Sequence, residues 1–312
     1  DTMEKVLTNA IERAKYSSAD EFAGLPEKHA AKPNIDKLDL YCNKIITIRR
    51  NKFETYFNLL ISPLKLEPLQ VAYYRNKNFK ILLDELLSQN RFDIVHVYML
   101  RMAHYVADYT IFKIISLVDS MALNMKRRVE NESGLKKLVF KYENLLVRNY
   151  ETKMIRKFNK AIVVSNIDKE YIGEQNIEVI PIGINIQQSK IIKEDKKIIF
   201  SGNMGYFPNQ NAVIWFVENC FNEIKRAIPE IKFFIVGKNP PEKIIKYQDG
   251  LNIFVKGYVD SMIDELASAT IAIAPMQSGS GMQIKILESM SIGLPIVATE
   301  LGRGDISVIH NQ

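Results

Sequence analysis

The sequence predicts an α/β protein made of two doubly wound, Rossmann-like domains that face each other across a cleft. Its 312 residues are 47% hydrophobic and 25% charged, a composition typical of a folded chain long enough for two domains. Short apolar runs alternate with helical segments, which indicates βαβ units on a parallel sheet. The runs are continuous, as expected for strands that are buried on both faces.

The first half of the chain contains three strand patterns and a long helical region. Apolar residues at helical spacing predict a helix at Phe79–Leu87. The segment Lys126–Phe158 is charged and aliphatic, which predicts one long helix or two with a joint near Ser133–Gly134. Strands are predicted at Phe92–Val97, Ile114–Val118 and Ala161–Val164.

A charged segment without glycine, Gln188–Lys197, is the best candidate for a linker. It predicts an N-terminal domain over residues 1–188 and a C-terminal domain over 189–312. Because the chain starts at Asp1 and stops soon after a strand pattern, we expect both domains to be incomplete at their outer ends. In the second half, strands are predicted at Lys197–Ser201, Phe233–Val236, Asn252–Val255, Ile271–Ala274 and Ile296–Ala298, and helices at Asn209–Ala227, Glu242–Tyr247, Met262–Ala267 and Gln283–Ile292.

The composition argues against several classes of protein. No apolar run reaches the ~18 residues of a membrane-spanning helix. Two cysteines cannot build a disulfide framework, and the four histidines share no metal-ligand spacing, so we expect no metal and no cofactor. The default compartment is the cytoplasm.

The positive charge lies in the first part of the chain. Residues 189–312 carry 13 basic and 13 acidic side chains, so the whole net charge of +6 belongs to residues 1–188. A basic surface attracts phosphate-bearing partners, including an anionic membrane, whereas the alternative is ordinary lysine usage for solubility. Nucleic acid is not an expected partner, because aromatic and basic residues are not interleaved in a recognised pattern.

Candidate ligand-binding residues follow the strands, since open α/β sheets bind ligands at the carboxyl ends of their strands. The loop after the first strand of the second half contains Gly202 and Asn203. Its glycines let backbone N–H groups approach a phosphate, and the alternative is a simple tight turn. After a later strand, Tyr258 flanks a turn that could read a base edge, or it packs at the strand end.

The segment Ala274–Met290 carries the most informative pattern of the chain. A serine- and glycine-rich loop leads from a strand into a helix, so backbone N–H groups can bind a diphosphate. Lys285 can add a positive charge, and Glu288 can accept hydrogen bonds from sugar hydroxyls. The alternative for Glu288 is a solvated helix carboxylate.

In the first half, two sets of residues follow strands and are expected to face the cleft. Asp119 and Ser120 follow one strand, and Arg101 follows another. Asp119 is the best-placed carboxylate for catalysis, with a helix cap as the alternative. Arg128 is a candidate phosphate ligand, or part of a solvated helix face.

Two nucleotide-binding patterns fit poorly. Gly279 and Gly281 form a partial G-x-G, but Ile284 stands where the third glycine of a dinucleotide fingerprint is expected. The chain also lacks the P-loop motif.

The sequence Ser280–Thr299 resembles the donor-site signature of group 1 (family 4) retaining glycosyltransferases, which have the two-domain GT-B fold. Supporting segments occur in the same order, and the set is similar to the exosortase-associated sugar transferase branch. The matching segments are Val179–Asn185, Phe200–Asn209, Phe233–Lys238 and Val255–Asp260, with looser matches around Val71 and Val97.

This resemblance implies a nucleotide diphosphate sugar in the C-terminal domain, a glycan or lipid-linked acceptor in the N-terminal domain, and transfer with retention. The candidate residues on the acceptor side are Arg101, Ser120 and Arg128. It implies that Glu288 contacts the ribose, and that the backbone from Gly281 through Met282 to Gln283 lies at the diphosphate and sugar. Gly202 and Asn203 match the loop that faces the phosphates.

Several positions depart from the family pattern. Ser280 replaces the first motif glutamate, and Asn203 stands where arginine is common, so Lys285 or Lys238 is the candidate to supply the missing charge. The expected function is hexosyl transfer in polysaccharide or glycoconjugate biosynthesis. The alternatives are another enzyme of this fold, such as a nucleotide-sugar epimerase, or an inactive nucleotide-sugar-binding module.

Overall fold

A computed structural model describes residues 41–130, 132–186, 194–279 and 281–308. The chain divides into two compact units, Asp1–Asn51 and Lys52–Gln312. In the first unit, the described residues 41–51 contain no helix or strand. All that follows concerns the second unit.

The N-terminal sheet has four parallel strands in sequence order, β1 to β4. Its core joins strand residues such as Ile115 and Val163 to the helices that cover them. The strands are β1 (Ile94–Tyr98), β2 (Phe112–Val118), β3 (Lys160–Val163) and β4 (Ile177–Val179).

The described residues of this N-terminal lobe form six α-helices. The predicted joint is confirmed, because one helix ends at Glu130 and the next begins at Gly134, a glycine with positive φ. The helices are α1 (Lys52–Ile61), α2 (Leu69–Tyr74), α3 (Lys77–Gln89), α4 (Met121–Glu130), α5 (Gly134–Ile155) and α6 (Asn166–Ile172), with a 3-10 helix at Leu100–Tyr105.

The C-terminal sheet has five parallel strands in the order β7-β6-β5-β8-β9. The order reverses between β5 and β8, and a doubly wound sheet opens its ligand crevice at such a reversal. The strands are β5 (Lys197–Ser201), β6 (Lys232–Val236), β7 (Ile253–Lys256), β8 (Ile271–Ala274) and β9 (Ile296–Ala298).

Apolar side chains from both faces bury this sheet. Phe216, Phe221 and Phe233 pack with ring centroids 5.0–6.2 Å apart, and Phe200 is fully buried beside them. The helices of this C-terminal lobe are α7 (Phe207–Phe216), which runs through a π-helical turn (Val217–Phe221) into α8 (Asn222–Ala227), then α9 (Glu242–Ile245), α10 (Met262–Ala267), α11 (Ile284–Ser291) and α12 (Glu300–Arg303).

The two parallel sheets confirm the predicted α/β fold class. The predicted domain boundary at residue 188 lies outside the described residues and stays a prediction. Within the described part of the chain, no helix is both long and apolar enough to cross a membrane.

Candidate active site

Three neighbouring loops meet at the carboxyl ends of β5, β6 and β7. The Gly202 N–H donates to the Val236 carbonyl at 2.9 Å, and the Met204 N–H donates to the Lys238 carbonyl at 2.8 Å. Gly237 has φ +143°, and a Cβ there would lie 1.8 Å from the Gly202 carbonyl oxygen. Only glycine permits this approach, which brings the loops together as one surface.

The serine- and glycine-rich loop follows β8 on the other side of the sheet reversal. Gly279 and Gly281 have φ values of +109° and +72°, in the region that favours glycine. The Ser278 side chain is buried, and its Oγ has no hydrogen-bond partner among the described residues. Such an orphaned hydroxyl suits a ligand that brings an acceptor. Ser280 lies outside the described residues.

Lys285 connects the two sides of the reversal. Its buried Nζ donates to Asn209 Oδ1 at 2.8 Å, to Gln283 Oε1 at 3.3 Å and to Met276 Sδ at 3.6 Å, and it lies 4.8 Å from the centroid of the Phe200 ring. All these hydrogen-bond acceptors are neutral. Burial therefore lowers the pKa of Lys285 to about 7.

Asn209, which accepts from Lys285, also bonds to the loop that contains Gly202 and Asn203. Its Nδ2 donates to the Asn203 carbonyl at 2.9 Å. The Asn203 side chain is engaged locally, since Oδ1 accepts from the Gly205 N–H at 2.9 Å. One buried cation is thus bonded to a side chain that fixes the opposite loop.

Glu288 lies on α11, one turn after Lys285. Its carboxyl group is partly buried, and burial raises its pKa while nearby Lys285 opposes the rise. The side chain is therefore not fully solvated. Met282 and Gln283, which lead into α11, are also partly buried.

The remaining residues predicted to bind the donor substrate, Lys238 and Tyr258, are more exposed than Lys285. Lys238 is partly exposed beside the Gly202 loop. Tyr258 is 72% exposed, so it does not pack at the strand end as the alternative interpretation required. An exposed aromatic ring can stack on a planar group.

On the N-terminal side, Asp119 reaches the serine- and glycine-rich loop. A Cβ on Gly281 would lie 3.1 Å from Asp119 Cβ and 3.6 Å from its Oδ2. A side chain that caps α4 is that of Ser120, whose Oγ accepts from the Leu123 N–H at 3.1 Å.

Ser120 is fully buried, in contrast to the accessible position expected on the acceptor side. Its Oγ donates to Glu151 Oε2 at 2.7 Å, and its N–H donates to Asp168 Oδ1 at 2.9 Å. These bonds favour a role in shaping the turn. Glu151 and Asp168 were not anticipated from the sequence.

The two predicted acceptor-side arginines pack on aromatic rings. The Arg101 guanidinium lies 4.6 Å from the centroid of Tyr74. Arg128 lies 4.1 Å from the Phe140 ring and 5.1 Å from Phe207 in the C-terminal lobe, and it pairs with Glu132 at 3.6 Å. Arg128 is therefore part of the surface between the lobes rather than of a solvated face.

Further contacts join the lobes near these residues. Asn124 Nδ2 donates to Tyr206 Oη at 2.9 Å, and Arg127 donates to the Gly279 carbonyl. The Asn166 N–H donates to Asp305 Oδ2 at 2.6 Å. No local motif marks these pairs, because their members are 82 to 152 positions apart.

A cavity of about 320 Å³ opens between the lobes at this place. It is large enough for a small ligand such as one sugar ring, and it carries both signs of charge. Its lining comes from both lobes: Arg127, Ser165, Ile167, Gly281, Glu300, Leu301, Arg303 and Gly304.

Comparison with known families supports the interpretation of the C-terminal lobe. Residues 195–312 match the family described as "Glycosyl transferases group 1". This range contains the Gly202 loop, the serine- and glycine-rich loop, Lys285 and Glu288.

Three relatives illustrate the likeness. The chain is 25% identical over 214 residues to an "Uncharacterized 44.6 kDa protein in cps region" of Klebsiella pneumoniae, covering 64% of this chain and 54% of that protein. It is 22% identical over 264 residues to a chitobiosyldiphosphodolichol beta-mannosyltransferase of Candida glabrata, covering 78% and 55%. The pneumococcal O-GlcNAc transferase GtfA, solved in complex with UDP and GlcNAc, has a TM-score of 0.53 at 15% identity over 72% of this chain and 45% of that chain.

The structural likeness shows that the chain has the GT-B fold. The chain spans about half the length of the curated relatives it matches.

Proposed function

We propose that the protein containing this chain is a hexosyltransferase that moves a sugar from a nucleoside diphosphate sugar to an acceptor hydroxyl. The observation that carries the proposal is the buried Lys285 Nζ, which lies between two phosphate-type loops and bonds only to neutral acceptors. A buried cation with neutral hydrogen-bond acceptors is costly even with the Glu288 carboxylate nearby, and a diphosphate bound between the loops would lower that cost. The match of residues 195–312 to group 1 glycosyl transferases supports the same reaction class.

The donor would bind in the C-terminal lobe. Backbone N–H groups of Gly281 to Gln283 and the N-terminus of α11 would hold the diphosphate, with Gly202 and Asn203 on its other side. The Ser278 Oγ would donate to a phosphate oxygen. Glu288 would accept hydrogen bonds from the ribose hydroxyls, and Tyr258 would stack on the base.

Bond cleavage leaves negative charge on the departing diphosphate. Lys285, Lys238 and the loop N–H groups would stabilise that charge, and fixed donors of this kind usually contribute most to such a reaction. The proposal includes no resident metal or cofactor. UDP in the related GtfA complex supports a nucleotide as the bound group.

The acceptor would enter the cavity between the lobes. Asp119 lies beside Gly281 and is the carboxylate proposed to act there, with Arg101 and Arg128 further out. We propose transfer with retention at the anomeric carbon on the strength of the resemblance of Ser280–Thr299. A glycan or lipid-linked acceptor agrees with the relative from a cps region.

Peripheral contact with an anionic membrane is part of the proposal. Helix α1 exposes Phe53, Phe57 and Leu60, and α5 exposes Leu135 and Leu138 beside lysines. Apolar faces with basic residues bind anionic interfaces. Sedimentation with phosphatidylglycerol vesicles, but not with phosphatidylcholine vesicles, is the expected result, and equal recovery with both would contradict it.

Product analysis tests the proposed reaction. The full-length protein is incubated with UDP-, GDP- and dTDP-sugars, with and without oligosaccharide or lipid-linked acceptors, and nucleoside diphosphate and products are followed by NMR. Acceptor-dependent release with the donor's anomeric configuration retained is expected. Conversion of the nucleotide sugar without acceptor would indicate an epimerase, and tight binding without turnover would indicate an inactive module.

A further inference from the structure

The turn after β2 has a strained backbone. Val118, the last residue of β2, has φ +71°, a rare conformation for a β-branched side chain. The pairing of β2 with β3 also shifts register between Ser116 and Val118. Strain of this kind persists only where surrounding groups hold it, and it concentrates at functional sites.

Two buried acidic residues, Glu151 and Asp168, accept hydrogen bonds from this turn. Glu151 on α5 accepts from the Met121 N–H at 2.8 Å and from Ser120 Oγ at 2.7 Å. Asp168 on α6 accepts from the Ser120 N–H at 2.9 Å. The two acids therefore receive every polar hydrogen that Ser120 and the next backbone N–H offer.

One of these acids, Asp168, is also bonded to a residue that lines the cavity. Asp168 also accepts from Ser165 Oγ, and the Asp168 N–H donates back to Ser165 Oγ at 3.1 Å. Ser165 lines the cavity together with Gly281. Asp168 therefore ties the turn after β2 to the turn after β3. Burying two carboxylates costs free energy. We therefore expect these residues to do more than support one helix cap.

The turn sets the position of two groups on the serine- and glycine-rich loop. Asp119 lies beside Gly281, so close that a Cβ added there would lie 3.1 Å from Asp119 Cβ and 3.6 Å from its Oδ2. Helix α4 begins at Met121, directly after the turn, and carries Arg127 to the Gly279 carbonyl. Both contacts depend on the direction in which the turn leaves β2.

We propose that Glu151 and Asp168 are positioning residues, which clamp the turn Val118–Met121 so that Asp119 is held at the loop that binds the donor. They touch no substrate and act through Asp119 and α4. This inference rests on the proposed function, because it takes Gly279–Gln283 as the donor loop.

Three variants of the full-length protein separate positioning from simple stability. Glu151→Ala removes both acceptors, and Glu151→Gln keeps an oxygen for the Met121 N–H and a partner for Ser120 Oγ. The control is Glu143→Ala, which removes another buried carboxylate from α5, one that accepts from the Leu69 N–H at 2.7 Å away from the turn.

The readout is donor turnover, measured as nucleoside diphosphate release from the sugar nucleotide that the wild type uses. Glu151→Ala is expected to lower kcat about tenfold or more with little change in donor KM, since small displacements of a reacting group cost that much. Asp168→Ala is expected to behave similarly, and Glu151→Gln to restore kcat. Glu143→Ala is expected to lower Tm without lowering kcat.

A double-mutant cycle with Asp119→Ala makes the test specific. If Glu151 acts largely through Asp119, the loss in the double variant is clearly smaller than the product of the two single fold-losses in kcat. Additive losses, an unchanged kcat in Glu151→Ala, or an equal loss in Glu143→Ala would overturn the proposal.

Amide hydrogen exchange tests the clamp on the turn independently of the proposed transferase activity. Faster exchange at residues 118–121 and at the loop 276–283 is expected in Glu151→Ala and not in Glu143→Ala. Unchanged protection of the loop would overturn the clamp even in an active enzyme. A wild type that turns over no sugar nucleotide overturns the transferase proposal, whatever the exchange shows.

Discussion

The low pKa of Lys285 should make the proposed diphosphate binding depend on pH. Burial lowers this pKa to about 7, so above neutral pH the free protein holds the side chain largely uncharged. A bound diphosphate would favour the charged form, and the side chain would take up a proton on binding. The perturbation is a rise in pH from 7.5 to 9, where the phosphates, with a pKa of about 6, are already ionised.

The magnitude follows from the pKa. With a value of about 7, roughly a quarter of the molecules carry the charge at pH 7.5 and about 1% at pH 9. If only the charged form binds well, the Kd rises about 20-fold over this range, at a limiting slope of about tenfold per pH unit. Proton uptake should approach one per site.

Titration calorimetry measures both quantities. UDP and GDP are titrated into the protein at several pH values, in Hepes and in Tris, whose different ionisation enthalpies report the number of protons taken up. Lys285→Met should bind more weakly with a flat pH profile. The control Lys232→Met changes an exposed lysine and should keep the wild-type profile.

One result would refute the reasoning about Lys285. If the wild type binds UDP or GDP with no proton uptake and with a constant Kd from pH 7.5 to 9, Lys285 does not meet the diphosphate as a cation. Proton uptake that persists in Lys285→Met would assign the effect to another group.

Three further predictions concern other parts of the site. Gly237→Ala places a Cβ against the Gly202 carbonyl and should lower the free energy of unfolding in urea by more than about 3 kcal/mol. The control Gly250→Ala, also at positive φ but with open space around it, should lower it far less. Equal losses of stability in the two variants would contradict the clash. Burial raises the pKa of Glu151 from 4.5 to about 7, so the folded protein binds this proton more tightly than the unfolded chain does. As the pH rises from 4.5 to 7, the free energy of unfolding of the wild type should fall by up to about 3 kcal/mol relative to that of Glu151→Gln. Parallel pH profiles of the two proteins in urea unfolding would exclude this. Tyr258→Ala should weaken nucleoside diphosphate binding about tenfold without changing the affinity for inorganic pyrophosphate, and an equal loss for both ligands would show that the ring does not meet the base.

The sequence alone predicted a common location for those candidate site residues that lie in one contiguous segment. The loop that follows β8, Lys285 and Glu288 are neighbours in sequence, and a strand–loop–helix pattern predicts their common location. The alternation of strands and helices likewise predicted the sheets and the break before Gly134. These features depend on local periodicity and turn chemistry, which one sequence contains.

The sequence was insufficient where burial depends on distant packing. Glu151 is one of two acidic residues on a long charged helix, and nothing local indicates that it lies beneath a turn 30 positions earlier. Asn209 was expected only as the start of a helix, and its bond to Lys285 joins residues 76 positions apart. Ser120 was expected to face the cleft because it follows a strand, but it is fully buried and its hydroxyl donates to Glu151.

Donor kinetics of Glu288→Ala test the central claim most directly. With the sugar nucleotide that the wild type uses, loss of the ribose contact should raise the donor KM about tenfold or more and leave kcat nearly unchanged. The control Glu230→Ala removes an exposed carboxylate at the amino end of β6 and should change neither constant. An unchanged donor KM in Glu288→Ala would contradict the assignment of this lobe as the donor site.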